Sequence, residues 1–126
     1  MNTLSGYTEI EMGGKTLPFK FGTNCWALFC EMRGIEFHEI ASSGVFGSET
    51  GAPNIIALRD LFYCAYKAAK RSRGEIPELN VDAFGDLLDE SKDAMVKLGD
   101  VLQTAKIMGF SISELVEENK KKVKSH

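Results

Sequence analysis

The sequence predicts an α+β fold, mainly α, with an N-terminal β-hairpin packed on a bundle of five or six helices. Three observations carry that expectation. Apolar and polar residues alternate on both sides of Gly13-Gly14, as in a half-buried hairpin. Beyond residue 22 the apolar residues recur at helical spacing instead. The helical stretches begin and end on capping residues such as Asn80 and Gly34. The 126 residues suit one domain. It divides into a hairpin over 7–21, a helical part over 22–119 with a loop at 42–54, and a basic flexible tail over 120–126.

Gly13-Gly14 supplies the two positive φ values of a tight type I′ turn. That turn pairs Met12 with Lys15, Glu11 with Thr16, Ile10 with Leu17 and Thr8 with Phe19. One face then carries Ile10, Met12, Leu17 and Phe19. The other carries Tyr7, Glu9, Glu11, Thr16, Pro18 and Lys20. Pro18 falls opposite Glu9 at a non-hydrogen-bonded site, so its missing N–H costs the hairpin nothing.

The first helix runs from Thr23 to Arg33 and closes on Gly34. Cys25, Leu28, Phe29 and Met32 form a stripe, with Trp26, Ala27 and Cys30 beside it. A helix this apolar needs cover on more than one side. The adjoining hairpin, marginal by itself, is expected to cover one of them, and other helices or another chain the second. A short helix follows at Phe37–Ala41. The stretch "SSGVFGSETGAPN" (42–54) reads as a long mobile surface loop.

A long helix spans Asn54 to Arg73, with a stripe of Ile55, Leu58, Phe62, Ala65 and Ala69. Its end, "KAAKRSRG", sets positive charge against the negative end of the helix dipole. Asn80 caps the next helix, which ends near Glu90 and carries Leu79 and Phe84 as a hydrophobic staple. A further helix spans Lys92–Met108 and stops at Gly109. The last starts at Ser111, with Glu114 completing a capping box and Phe110 and Leu115 a staple. It fades into "ENKKKVKSH".

Composition narrows the function. The formal charge of −3 gives no general attraction to nucleic acid. No leader-like start and no apolar run of membrane-spanning length is visible. The three cysteines, Cys25, Cys30 and Cys64, read as reduced, buried thiols of a cytoplasmic protein. Cys25 and Cys30 lie about 140° apart on a helix, so they do not converge on one metal ion. His38 is the sole histidine before the C-terminal residue, and neither a nucleophile elbow nor a phosphate-binding loop occurs. The expectation is therefore no enzyme, no metal and no cofactor. Asp82, Asp86, Asp89 and Asp93 recur at helical spacing and read as a solvated face, with a basic partner as the alternative. Lys67, Lys70, Arg71 and Arg73 read as a solvated helix end, with nucleic acid as the alternative.

A strand, a turn carrying Gly-Lys, a strand ending "FKFG" and an apolar helix ending Arg33-Gly34-Ile35 together resemble the tail assembly chaperones of long-tailed bacteriophages. "LRDLFYCAYKAAKR" and "VDAFGDLLDE" extend the likeness, which covers residues 7–90. The resemblance implies a protein of the host cytoplasm that is absent from the mature virion. It implies binding to the long, helical tape-measure protein, which it keeps soluble, and recruitment of tail tube subunits, without a cofactor. It also implies a longer form made by ribosomal frameshifting, for which adenine-rich codons at Lys120–Lys122 would serve. A homo-oligomer is left open, and no membrane is involved.

A chaperone for an amphipathic helical client needs apolar surface to offer it. The expected contacts are Trp26, Phe29 and Phe37, with Val45 and Phe46 from the loop. Burial of Trp26 or Phe46 within the monomer would remove them from that set. Two other readings compete: a structural virion subunit of the head–tail connection or tail, and a regulatory protein that binds nucleic acid through Lys67–Arg73.

Overall fold

A computed structural model describes residues 6–43, 45, 54–107 and 110–111. The hairpin is β1 (Tyr7–Met12) and β2 (Lys15–Lys20). Helix α1 (Thr23–Arg33), a 3₁₀ turn at Phe37–Ser43, α2 (Ile55–Ser72), α3 (Val81–Asp89) and α4 (Lys92–Thr104) follow. Two short strands, β3 (Lys106–Ile107) and β4 (Phe110–Ser111), pair antiparallel after α4. The architecture is α+β and mainly α, with the hairpin packed on helices.

The hairpin has the register that its turn dictates: Met12 opposite Lys15, Ile10 opposite Leu17, Thr8 opposite Phe19. Gly13 and Gly14 hold φ of 58° and 82°, left-handed values that glycine adopts freely. Ile10, Met12, Leu17 and Phe19 are all buried. Pro18, on the other face, is buried as well, so that face is not wet throughout.

The hairpin does not sit chiefly on α1. Its β2 strand lies along α2 and its β1 strand against α4, while α1 packs on α2 at Asp60, Leu61 and Cys64. Phe19 meets Tyr66 with ring centroids 6.4 Å apart, and Phe21 meets Phe62 edge-on at 5.9 Å. Helix α2 is therefore buried on two flanks. Its buried set includes Ala57, Leu61, Phe62, Cys64, Ala65 and Tyr66, which is wider than one stripe. Ile55 of the expected stripe is 67% exposed, since in the first turn of α2 it is Ala57 that faces the core.

Helix ends follow local chemistry. The Asn54 side chain accepts a hydrogen bond from the Ala57 N–H at 3.0 Å, and that of Asn80 from the Ala83 N–H at 2.8 Å. Gly34 closes α1 at φ 65°, with the Ile35 N–H returning to the Cys30 carbonyl at 3.0 Å. Helix α4 ends at Thr104, short of the expected Met108. Ala105 is extended and fully buried against Gly6, which turns the chain into β3. Ser111 itself lies in β4. The expected helix beyond it, the loop over 46–53 and the tail over 120–126 lie outside the described residues.

Gly6 has φ 82°, and its carbonyl accepts from the Phe21 N–H at 2.9 Å, closing the base of the hairpin. A Cβ on Gly6 would overlap the Phe21 carbonyl oxygen, whereas one on Gly14 would meet nothing within 4 Å. Gly14→Ala should therefore cost only its left-handed conformation, about 1–2 kcal/mol. Gly6→Ala should cost clearly more, about 3 kcal/mol or above, because backbone must also shift. Thermal or urea unfolding of the two variants measures the difference, and equal losses would refute the close approach at Gly6.

Candidate partner-binding surface

Trp26 and Phe29 are core residues. Both have 0% exposure, and their rings meet edge-to-face at 5.8 Å. Val45 is buried at 4%. These three side chains face inward in the folded chain, so none is available to a partner at its surface. Phe37, at 49% exposure, is accessible, and Phe46 lies outside the described residues. Sequence periodicity showed that α1 needs cover on two sides, but α2 and the surrounding core supply that cover from within the chain.

The junction of α1 and α2 carries the one buried charge among the described residues, Asp60. The Arg33 guanidinium donates to it at 2.7 Å, and Arg59 donates to its other oxygen at 2.9 and 3.1 Å. Arg33 also lies 5.7 Å from the Phe29 ring centroid. A cleft of about 380 Å³ opens beside this cluster, between Met32, Glu39, Ser43 and Asp60. Its carboxylate is already held by two arginines, so the cluster functions as a clamp between helices.

The connector between α2 and α3 is held by two tyrosines. The buried Tyr66 hydroxyl accepts from the Glu78 and Leu79 N–H groups at 3.0 and 3.3 Å, and the Tyr63 hydroxyl donates to the Leu79 carbonyl at 2.8 Å. Both rings lie against Phe84 of α3, at 6.1 and 5.6 Å between centroids. This arrangement fixes α3 beside α2, and the two helices flank a groove.

That groove, about 490 Å³, lies between the first turn of α2, the outer face of α3 and Met95 of α4. Ile55 and Ile56 stand on its α2 side, 67% and 54% exposed, and Leu88 contributes from α3. Asp82, Asp86 and Asp89 form its rim. The sequence reading placed Ile55 in the core and did not single out Ile56. The signal lies in the two adjacent isoleucines directly after the Asn54 cap, which point about 100° apart around the helix at its first turn.

Of the basic residues at the other end of α2, Lys67, Lys70 and Arg73 are engaged within the chain, while Arg71 is exposed. Lys70 meets Glu75 and Glu78 at 3.5 Å, Arg73 meets Glu9 and Glu75 at 3.5 and 3.3 Å, and Lys67 lies 5.6 Å from the Tyr63 ring centroid. Among the described residues, no set of three or more histidine, cysteine, aspartate or glutamate side chains is arranged to hold a metal ion. No described helix is long and apolar enough to cross a membrane.

All three thiols are shifted towards the neutral form. Burial pushes Cys25 well up, and it pushes Cys64 up to about 12. Partial burial raises Cys30, helped by the negative charges of Glu36 and Glu39. Alkylation at pH 8 should therefore modify Cys30 first, with Cys25 and Cys64 at least about 100-fold slower than in denatured protein. Mass spectrometry of timed samples reads this, and rapid labelling of Cys64 in the native state would contradict it. Between the ordinary value of 9.0 and about 12, the unfolded chain loses the Cys64 proton that the folded chain keeps. Stability should fall as pH rises through that window, less steeply in Cys64→Ala.

Compared with protein families, with curated proteins and with solved structures, the chain matches none.

Proposed function

We propose that the protein is a tail assembly chaperone of a long-tailed bacteriophage or prophage. In this reading it binds the tape-measure protein before assembly, keeps it soluble and helps bring tail tube subunits to it. It acts without catalysis or cofactor in the host cytoplasm and is left out of the finished virion.

The observation that carries this reading is the run from Tyr7 to Ile35. Its strand, Gly-Lys turn, "FKFG" strand and apolar helix ending Arg-Gly-Ile resemble that family in sequence and order. A second feature supports it. Phe37, Ile55, Ile56, Ile76 and Val96 leave large apolar side chains at the surface, as a protein that shields an apolar client requires. The contacts expected from the sequence shift accordingly, from Trp26, Phe29 and Val45 to these exposed residues.

The test is co-expression with a long helical tape-measure protein, together with analysis of purified particles. The account predicts that the helical protein is soluble only when co-expressed and that this chain is missing from virions. Stoichiometric recovery of the chain from virions would overturn it in favour of a structural subunit.

A further inference from the structure

We propose that the groove between α2, α3 and α4 is a docking site for an amphipathic helix of a partner protein whose apolar stripe is flanked by lysine or arginine. The inference stands apart from the phage reading, since it rests on the groove alone and applies to any client with this chemistry.

The floor and one wall are apolar. Ile55 and Ile56 are more than half exposed, and Leu88 and Met95 are partly buried beside them. Large aliphatic side chains left open along a groove favour a ligand that presents a row of aliphatic side chains, as a helix does at i, i+3, i+4 and i+7. A small molecule is a poorer fit, because such sites enclose most of the ligand and this groove is open along its α2 side.

The rim selects the sign of the partner's charge. Asp82, Asp86 and Asp89 lie along one side of α3 at i, i+4 and i+7, and all three are exposed. The one cation lining the groove, Arg59, already holds Asp60. The aspartates near the C-terminal end also work against their own helix. Helix α3 ends on Asp89 and Glu90 with no basic residue in its last turn, the reverse of what the helix dipole favours. Gly85, unfavourable inside a helix, keeps the groove floor low, and a Cβ there would lie 3.3 Å from Arg59 Cδ. At the far end of α2, Lys67, Lys70 and Arg73 are engaged with Tyr63, Glu9, Glu75 and Glu78, so the matching charge that this patch of a second copy would bring is chiefly Arg71.

The probe is a synthetic helical peptide with a leucine stripe and lysine flanks, compared with the same stripe flanked by glutamate. Binding is followed by NMR on the full chain. The proposal predicts shifts centred on Ile55, Ile56, Leu88 and Met95. It predicts binding about tenfold or more tighter for the lysine peptide than for the glutamate peptide, and weaker as salt rises. Ile56→Glu, and separately Asp82→Lys with Asp86→Lys, should each weaken binding about tenfold or more, with unchanged circular dichroism because these side chains are exposed. Equal binding of both peptides, shifts centred elsewhere, or no binding of either would overturn it. A concentration-dependent dimer abolished by Ile56→Glu would also overturn it, assigning the groove to a second copy.

Discussion

A two-stranded hairpin is marginal in water and persists only against another apolar surface. Here that surface is α2, and the same helix also carries α1. Phe62 and Tyr66 receive Phe21 and Phe19 from the hairpin, while the Leu61 carbonyl lies 3.8 Å from the Cys25 thiol of α1. Each fully buried large side chain contributes about 1.5–3 kcal/mol, so losing α2 would leave neither hairpin nor α1 with a reason to fold. Asp60 adds direction to this packing. Held by Arg33 from α1 and Arg59 from its own helix, it fixes how the two helices meet at a position where a lone carboxylate would be costly.

The same arrangement separates inside from outside. Trp26, Phe29 and Val45 are held in the interior and stabilise the fold. Apolar surface that a partner could reach lies elsewhere, at Phe37 beside the 3₁₀ turn and at Ile55 and Ile56 where α2 begins. The Tyr63–Tyr66–Phe84 cluster ties α2 to α3. It anchors α3 to the hub helix and thereby gives the groove a firm wall, with the connector after α2 tied to both tyrosine hydroxyls.

Elements set by short-range chemistry were legible in the sequence. The Gly13-Gly14 turn dictates its register, and Asn54, Asn80 and Gly34 mark helix ends through bonds within a few residues. What was not legible depends on distant partners. Whether Trp26 faces a client or a core depends on α2 packing on α1, where Cys25 meets Leu61, 36 residues on in the chain. The end of α4 depends on Gly6 and Ala105 approaching from opposite ends of the described chain, and no local pattern encodes that. Ile55 fits the helical stripe by spacing but stays exposed, because in the first turn of α2 Ala57 takes the buried position, and spacing alone does not say which side of that turn the core covers. The candidate site is half legible: the spacing of its aspartates marks a polar face, whereas the helical stripe puts Ile55 in the core and gives no sign of Ile56.

Trp26 is the single tryptophan of the chain, so its fluorescence reports the division between core and surface without ambiguity. The most direct measurement is its emission and its quenching by acrylamide, before and after addition of a helical client. The account predicts blue-shifted emission that resists the quencher and does not change when the client binds. Emission typical of exposed indole, or a marked change on binding, would put Trp26 at the partner surface and contradict the central claim that the hairpin, α1 and α2 bury one another.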